Sequence, residues 1–339
     1  MKKYKILGYA FLALLIIILA FLFQARNYFN RTEIIVEIPS GISSRGIQTL
    51  LEDRGVIRHG SGFSTISRAL GFTRHFQAGK YRFTRADPML MIMFRIRNGQ
   101  VYIPPPEKVW VTFPEGSSIY VMGKALKEKN VKWFGDFQNL SKEGITQALR
   151  QKHWEIFKYI PSESLEGYLY PDTYWFFADA KPDQLVEAML RRFDEVVIPF
   201  WQVASKETEL SLHEVITLAS IIDKEAQVPT ERTMVSSVFH NRLKAKMYLA
   251  ACPTIKYALE RPTKKVYLDQ LEVDSPYNTY KYKGLPPGPI CNPGIEAIKA
   301  AVYPAKTDYY YFVSKRDGSH VFSSTWKEHQ KAKAKYGGN

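Results

Sequence analysis

Eighteen consecutive residues near the N-terminus, Ile6 to Phe23, carry no charge and are almost wholly apolar. A run of that length is just sufficient to cross a bilayer as a helix. Lys2, Lys3 and Lys5 precede it. Their charge holds the N-terminus in the cytoplasm and places everything after Gln24 on the far side. A cleaved signal peptide is the competing reading, but the run is long for one and no Ala-x-Ala site follows it. The expectation is a transmembrane anchor over residues 1–27 with the bulk of the chain extracytoplasmic.

The chain beyond the anchor repeats a phrase. Glu33 to Ile38 reads as a strand, Pro39-Ser40-Gly41 as a turn, and the residues up to Arg54 as a helix that ends at Gly55-Val56. Seventy-five residues later comes a strand from Lys108 to Phe113, Pro114-Glu115-Gly116, a helix through Lys129, and Asn130-Val131. Gly41 and Gly116 supply the tight turns, and Ser43 and Ser117/Ser118 are the candidate helix caps. Between the copies, Gly62–Leu70 and Met89–Arg97 read as helices, with Gln77–Phe83 and Val101–Ile103 as strands. Pro104-Pro105-Pro106 is a stiff break. The reading is a small α+β module over 28–106 and a larger mixed α+β domain over 107–339.

In the larger domain, Trp133–Ile160 reads as helical and basic, and Pro182–Val197 as an amphipathic helix. Leu212–Gln227, Glu231–Lys246 and Ile295–Ala301 read as further helices. Tyr309–Ser314 and His320–Phe322 form a hairpin across Asp317-Gly318. The proline-rich run from Gly284 to Gly294 is stiff enough to hold one shape beside a cleft. Cys252 and Cys291 both lie outside the membrane in this topology, where a disulfide is permitted; the sequence leaves their pairing open.

Lysine and arginine outnumber aspartate and glutamate 47 to 33, a net charge of +14. Such a surface attracts polyanions: nucleic acid, anionic lipid or acidic wall polymers. The basic residues are spread along the chain with no zinc finger or RNA-binding aromatic motif, which argues against nucleic acid. There is no phosphate-binding loop, dinucleotide fingerprint, Gly-x-Ser-x-Gly elbow, Cys-x-x-Cys pair or His-Glu-x-x-His helix. No metal and no cofactor is expected. Carboxylate chemistry in an aromatic setting remains, and cleavage of a glycosidic bond needs an acid to protonate the leaving oxygen. Glu166, Asp172, Asp223, Glu225 and Asp274 are the candidates. An apolar helix leads into Asp223-Lys224-Glu225, and its periodicity sends positions 223 and 225 roughly 200° apart, so one cleft can use only one of them.

Several stretches together carry a resemblance: SLEGYLYPDTYWF (164–176), LASIIDKEA (218–226), SSVFHNRL (236–243), SPYNTYKYKGLPPGPICNPG (275–294) and YYYFVSKRDGSHVFSSTWKEH (309–329). The chain resembles the endolytic murein transglycosylase family, the MltG or YceG-like proteins, from the anchor almost to the C-terminus. The resemblance implies a single-pass inner (cytoplasmic) membrane protein with a LysM-like module and a catalytic domain facing peptidoglycan. It implies cleavage of the MurNAc–GlcNAc β-1,4 bond within nascent glycan strands, without water, leaving 1,6-anhydro-MurNAc ends and terminating elongation. The implied partners are peptidoglycan glycan strands and peptidoglycan synthases. The family's catalytic glutamate maps to Asp223, with Glu225, Glu166, Tyr168, Asn241, Asn278 and Asn292 as supporting or substrate-binding residues. The chain departs from the family pattern at Asp223, and at Ala251 and Cys252, where a polar residue and an aspartate usually stand. A catalytically weak glycan-binding scaffold of the same fold is the alternative.

Overall fold

The computed structural model describes residues 29, 31–142, 147–161, 164–260 and 266–336. The apolar run Ile6–Phe23 lies outside the described residues. Among those described, no helix is long and apolar enough to cross a membrane. The chain divides into two compact units between Pro105 and Pro106.

The first unit contains β1 (Glu33–Ile38), α1 (Ser44–Asp53), α2 (Phe63–Ala69), β2 (Gly79–Thr84) and α3 (Met89–Arg97). β1 and β2 pair antiparallel, from Glu33 opposite Thr84 to Ile38 opposite Gly79. Strand alternation sends Val36, Ile38, Tyr81 and Phe83 inward, where Ile47, Leu51, Ile92, Met93 and Ile96 meet them. Each such side chain stabilises the fold by about 1.5–3 kcal/mol on burial. The Tyr81 hydroxyl, carried into that core, donates to the carbonyls of Gln77 (2.9 Å) and Ile96 (3.3 Å), so it is not stranded. The third strand expected at Val101–Ile103 does not form. Tyr102 N–H bonds the Lys80 carbonyl, but the three prolines that follow have no N–H with which to extend a ladder.

The second unit contains β3 (Lys108–Thr112), α4 (Ile119–Glu128), α5 (Phe134–Lys142), α6 (Gln147–Lys152), α7 (Trp154–Phe157), β4 (Thr173–Phe177), α8 (Pro182–Ala204), α9 (Leu212–Glu225), α10 (Arg232–Lys244), α11 (Cys252–Ala258), α12 (Ile295–Val302), β5 (Tyr311–Ser314), β6 (His320–Ser323) and α13 (Trp326–Tyr336). β3 pairs antiparallel with β4 and β5 with β6. The repeated phrase is built the same way twice. Gly41 and Gly116 turn with φ near +76° and +75°. Ser43 and Ser118 cap α1 and α4, accepting from Gly46 N and Val121 N. Both helices then close on a left-handed residue, Gly55 or Asn130, after which Val56 N bonds Leu51 O and Val131 N bonds Leu126 O.

Helix α9 is the axis of this unit. Val215 to Ile222 are all buried, the pattern of a helix surrounded on every side. Ser211 and Glu214 cap its start reciprocally, worth about 1 kcal/mol. Three expectations need correction. The helical reading of Trp133–Ile160 is interrupted at His153, which leaves helical geometry (φ −112°) so that Ile156 and Phe157 turn into the core. Helix α8 runs past Pro199 to Ala204, because burying Ile198, Trp201 and Ala204 outweighs the roughly 3 kcal/mol that an internal proline costs. Strand β4 and helices α11 and α13 were not expected; the aromatic run at 173–177 alternates inward and outward only once β3 is beside it.

Candidate active site

The two carboxylates at the end of α9 point into separate surroundings. Asp223 turns toward the β3–α4 turn. Arg232 Nη2 bonds its Oδ1 at 3.2 Å and Glu115 at 3.3 Å. Lys224 Nζ reaches the Gly116 carbonyl at 3.2 Å, and a side chain on Gly116 would come within 3.3 Å of Asp223 Oδ2. The Asp223 side chain is only 3% exposed. Burial pushes its carboxyl up, Arg232 pulls it back, Glu115 pushes it up again, and Gly294 N–H and Lys224 lower it. The net shift is upward, with Oδ1 held by the Arg232 guanidinium.

Glu225, the last residue of α9, is partly buried on the opposite side. Burial pushes its pKa up from 4.5 to about 7, against the pull of Lys256, Arg242 and the Cys252 backbone N–H. Its surroundings come from four parts of the chain. Cys252 and Lys256 lie on α11. Tyr280 comes from the loop before the proline-rich run, and its hydroxyl lies 3.0 Å from Cys252 Sγ. Arg242, from α10, is buried and is fixed by donating to the carbonyls of Tyr310 (2.7 Å) and Leu249 (2.6 Å). Its guanidinium sits 5.7 Å from the centre of the Tyr311 ring. A carboxyl titrating near neutrality, with cations and hydroxyl donors nearby and partial access to solvent, can both give and take a proton.

The remaining expected residues hold this architecture. Asn292 is fully buried: its Oδ1 accepts from Gly167 N and Leu169 N, both at 2.9 Å, while its Nδ2 donates to Ser117 O and Glu166 Oε1. Glu166, 4% exposed, takes the first N–H of α4, from Ile119, on both oxygens, where the helix dipole favours negative charge. The Tyr168 hydroxyl meets His213 Nδ1 at 2.7 Å, and His213 Nε2 lies 2.9 Å from the Pro287 carbonyl, tying the proline-rich run to α9. Ser220, in the middle of that helix, also accepts from Ile290 N at 3.0 Å. Gly167 fits only as glycine: its φ is +92°, and a Cβ there would lie 2.4 Å from Pro289. Asn278 donates to the carbonyls of Leu271 and Val273 and accepts from Tyr280 N, which places Tyr280. Asn241 donates to the carbonyls of Thr307 and Tyr309 ahead of β5.

Of the other acids considered, Asp172 pairs with Arg192 at 2.9 Å. Asp274 is exposed, and hydrogen bonds from Lys281 and Tyr282 lower its pKa, so it is no proton donor. The cysteines are free: Cys291 is buried with its thiol on the Ser220 carbonyl, and Cys252 is exposed. Among the described residues, no group of three or more His, Cys, Asp or Glu is placed to hold a metal ion. Arg242, Lys256, Tyr280 and Tyr311 were missed by the sequence reading. Arg242, Tyr280 and Tyr311 stood within the quoted motifs, but nothing in their spacing tied them to Glu225.

The chain matches the model of the YceG-like family over residues 36–335. It is 34% identical over 316 residues to the endolytic murein transglycosylase of Bacillus subtilis, covering 91% of this chain and 86% of that one. It is 27% identical to the endolytic murein transglycosylase of Streptococcus pneumoniae, covering 91% of this chain but 59% of that longer protein. The crystal structure of a yceG-like protein from Listeria monocytogenes has the same mixed α+β fold, with a TM-score of 0.59 at 35% identity. It covers 89% of this chain and 99% of that one.

Proposed function

The chain belongs to the YceG-like family, and from that membership we propose that it is a membrane-anchored endolytic transglycosylase of peptidoglycan. The observation that carries this reading is Glu225, a carboxyl at the end of α9 raised by burial to about 7. At neutral pH about half of such groups hold a proton. In the proposed reaction Glu225 protonates the oxygen of the MurNAc–GlcNAc β-1,4 bond as that bond breaks at C1 of MurNAc. The C6 hydroxyl of the same sugar then attacks C1, and the Glu225 carboxylate takes its proton. The ring closes as 1,6-anhydro-MurNAc, no water is consumed, and the acid is restored. One carboxyl suffices, whereas hydrolysis uses a second to activate water or to attack the sugar.

We assign the acid to Glu225 rather than to Asp223, the position expected from the resemblance. The Asp223 carboxylate is already engaged by Arg232 at 3.2 Å, whereas Glu225 is the carboxyl raised to about 7. The role of Asp223 is to fix the end of α9 against the β3–α4 turn. Glu166, Tyr168, Asn241, Asn278 and Asn292 act as positioning residues. The apolar run Ile6–Phe23 anchors the chain in the inner membrane with the rest extracytoplasmic. Residues 28–106 form a LysM-like module that retains glycan. The enzyme terminates nascent strands beside peptidoglycan synthases.

A second reading, a glycan-binding scaffold with little activity, draws on Cys252: a neutral thiol beside Glu225 supplies no charge to the site. Full-length protein on purified peptidoglycan, with products read by mass spectrometry, separates the two. Anhydro-ended products from the parent protein, absent with Glu225→Gln and retained with Asp223→Asn, are expected. Products lost with Asp223→Asn but kept with Glu225→Gln would move the acid to 223. Binding without any product would favour the scaffold, and ends heavier by one water would mean hydrolysis.

A further inference from the structure

We propose that Trp326, Tyr311 and His329 form a stacking platform for a pyranose ring of the glycan strand, contiguous with Glu225 through Arg242. The inference rests on the reading of Glu225 as the acid of a glycan-cutting site, and adds a place for a neighbouring sugar.

The platform lies at the start of α13 and on β5. Tyr311 and Trp326 have ring centres 5.5 Å apart; His329 stacks on Tyr311 at 5.1 Å and 25° and meets Trp326 at 5.3 Å. Three rings packed this way usually form a core, yet Trp326 is 55% exposed. Its position is nonetheless fixed. Glu328 accepts from the N–H groups of Ser324 and Thr325, and Thr325 Oγ1 accepts from Glu328 N, which locks the first turn of α13. Tyr311 is held in register opposite Ser323. The exposed Trp326 ring is thus held on a rigid base, backed by Tyr311 and His329.

Arg242 links the rings to the acid. The Arg242 guanidinium covers Tyr311 and lies in the field of Glu225 and Tyr280. Burial, with Lys333 and Arg242, lowers the His329 pKa, which favours the uncharged ring. Neutral aromatic faces suit the C–H faces of sugar rings, whose hydroxyls point sideways. Arg242 and Tyr280 then supply hydrogen-bonding groups on the side of the acid.

The test uses full-length protein with Trp326→Ala and Trp326→Phe. Retention on purified peptidoglycan is measured in the inactive Glu225→Gln background; kcat, KM and melting temperature are measured in the active one. With Trp326→Ala, retention should weaken and KM should rise about tenfold, the size of one aromatic contact. The change in kcat should be smaller than the change in KM, and Trp326→Phe should recover most of the loss. Unchanged retention and KM would overturn the platform. So would a loss that follows a fall in melting temperature, with kcat and KM affected alike, because the rings would then only pack α13 on the hairpin. If the parent protein cuts no glycan, the functional reading fails, while the retention arm still decides whether Trp326 binds sugar.

Discussion

The raised carboxyl of Glu225 should be measurable without any substrate. Replacing Glu225 by glutamine removes the ionisation while keeping shape. The rise from 4.5 to about 7, at about 1.36 kcal/mol per pH unit, amounts to about 3 kcal/mol, or roughly 2–3 kcal/mol once solvent screening of a partly exposed group is allowed for. The sign follows from proton binding. Between pH 4.5 and 7 the folded protein holds this proton and the unfolded chain does not, so stability falls as pH rises and the contribution is lost above 7. The parent protein should therefore lose stability relative to Glu225→Gln between pH 5 and pH 8.5, by about 2–3 kcal/mol. For a unit of this size that is roughly 5–10 °C in melting temperature. Thermal unfolding of both proteins across this range, followed by circular dichroism, is the assay. Activity should be absent in the variant at every pH and decline in the parent above pH 7. A melting-temperature difference that stays constant from pH 5 to 8.5 would refute the raised carboxyl, and with it the case for Glu225 as acid.

Other outcomes follow from the same contacts. Cys252→Asp puts a second carboxylate beside Glu225 and should move the alkaline limb of the activity profile up by about one pH unit, read from kcat/KM against pH. Asn292→Ala strands the N–H groups of Gly167 and Leu169 and should cost about 3–5 kcal/mol of stability in denaturant unfolding. Gly167→Ala drives a methyl into Pro289 at a positive φ and should cost about 2–4 kcal/mol, lowering the melting temperature.

The local chemistry of this chain was legible in its sequence where a few neighbouring residues decide the outcome. Ser43 and Ser118 cap their helices, Met89–Arg97 is a helix, and Asp317-Gly318 lies in the hairpin turn, because each depends on short-range hydrogen bonds or on one periodic face. The opposed directions of positions 223 and 225 also followed from helix geometry. What each of them faces did not. Arg232 reaches Asp223 from across nine residues, and Cys252, Lys256 and Tyr280 reach Glu225 from up to 55 residues away. Family position favours Asp223, while the carboxyl raised to about 7 is that of its neighbour. Asn241, Asn278 and Asn292 stand out in the motifs as polar groups suited to a ligand. Each spends its amide on backbone carbonyls or N–H groups instead. A buried amide that satisfies stray backbone and one that touches a sugar look alike in sequence.

The Asn292 junction also bears on how the chain takes shape as it is made. It joins Ser117, Glu166 and Asn292, with one bond spanning 175 residues. In the first unit the strands that frame the core meet within about 50 residues, Glu33 against Thr84. Closing distant contacts is slow, and a chain made N-terminus first closes what it already has. The first unit can therefore set soon after Arg97 has emerged. The second must wait, with the segments around Ser117 and Gly167 lacking the Asn292 partner of their backbone groups, until residue 292 arrives. In the meantime those segments are exposed to chaperones and proteases, and nearly the whole chain must be present before the surroundings of Glu225 assemble.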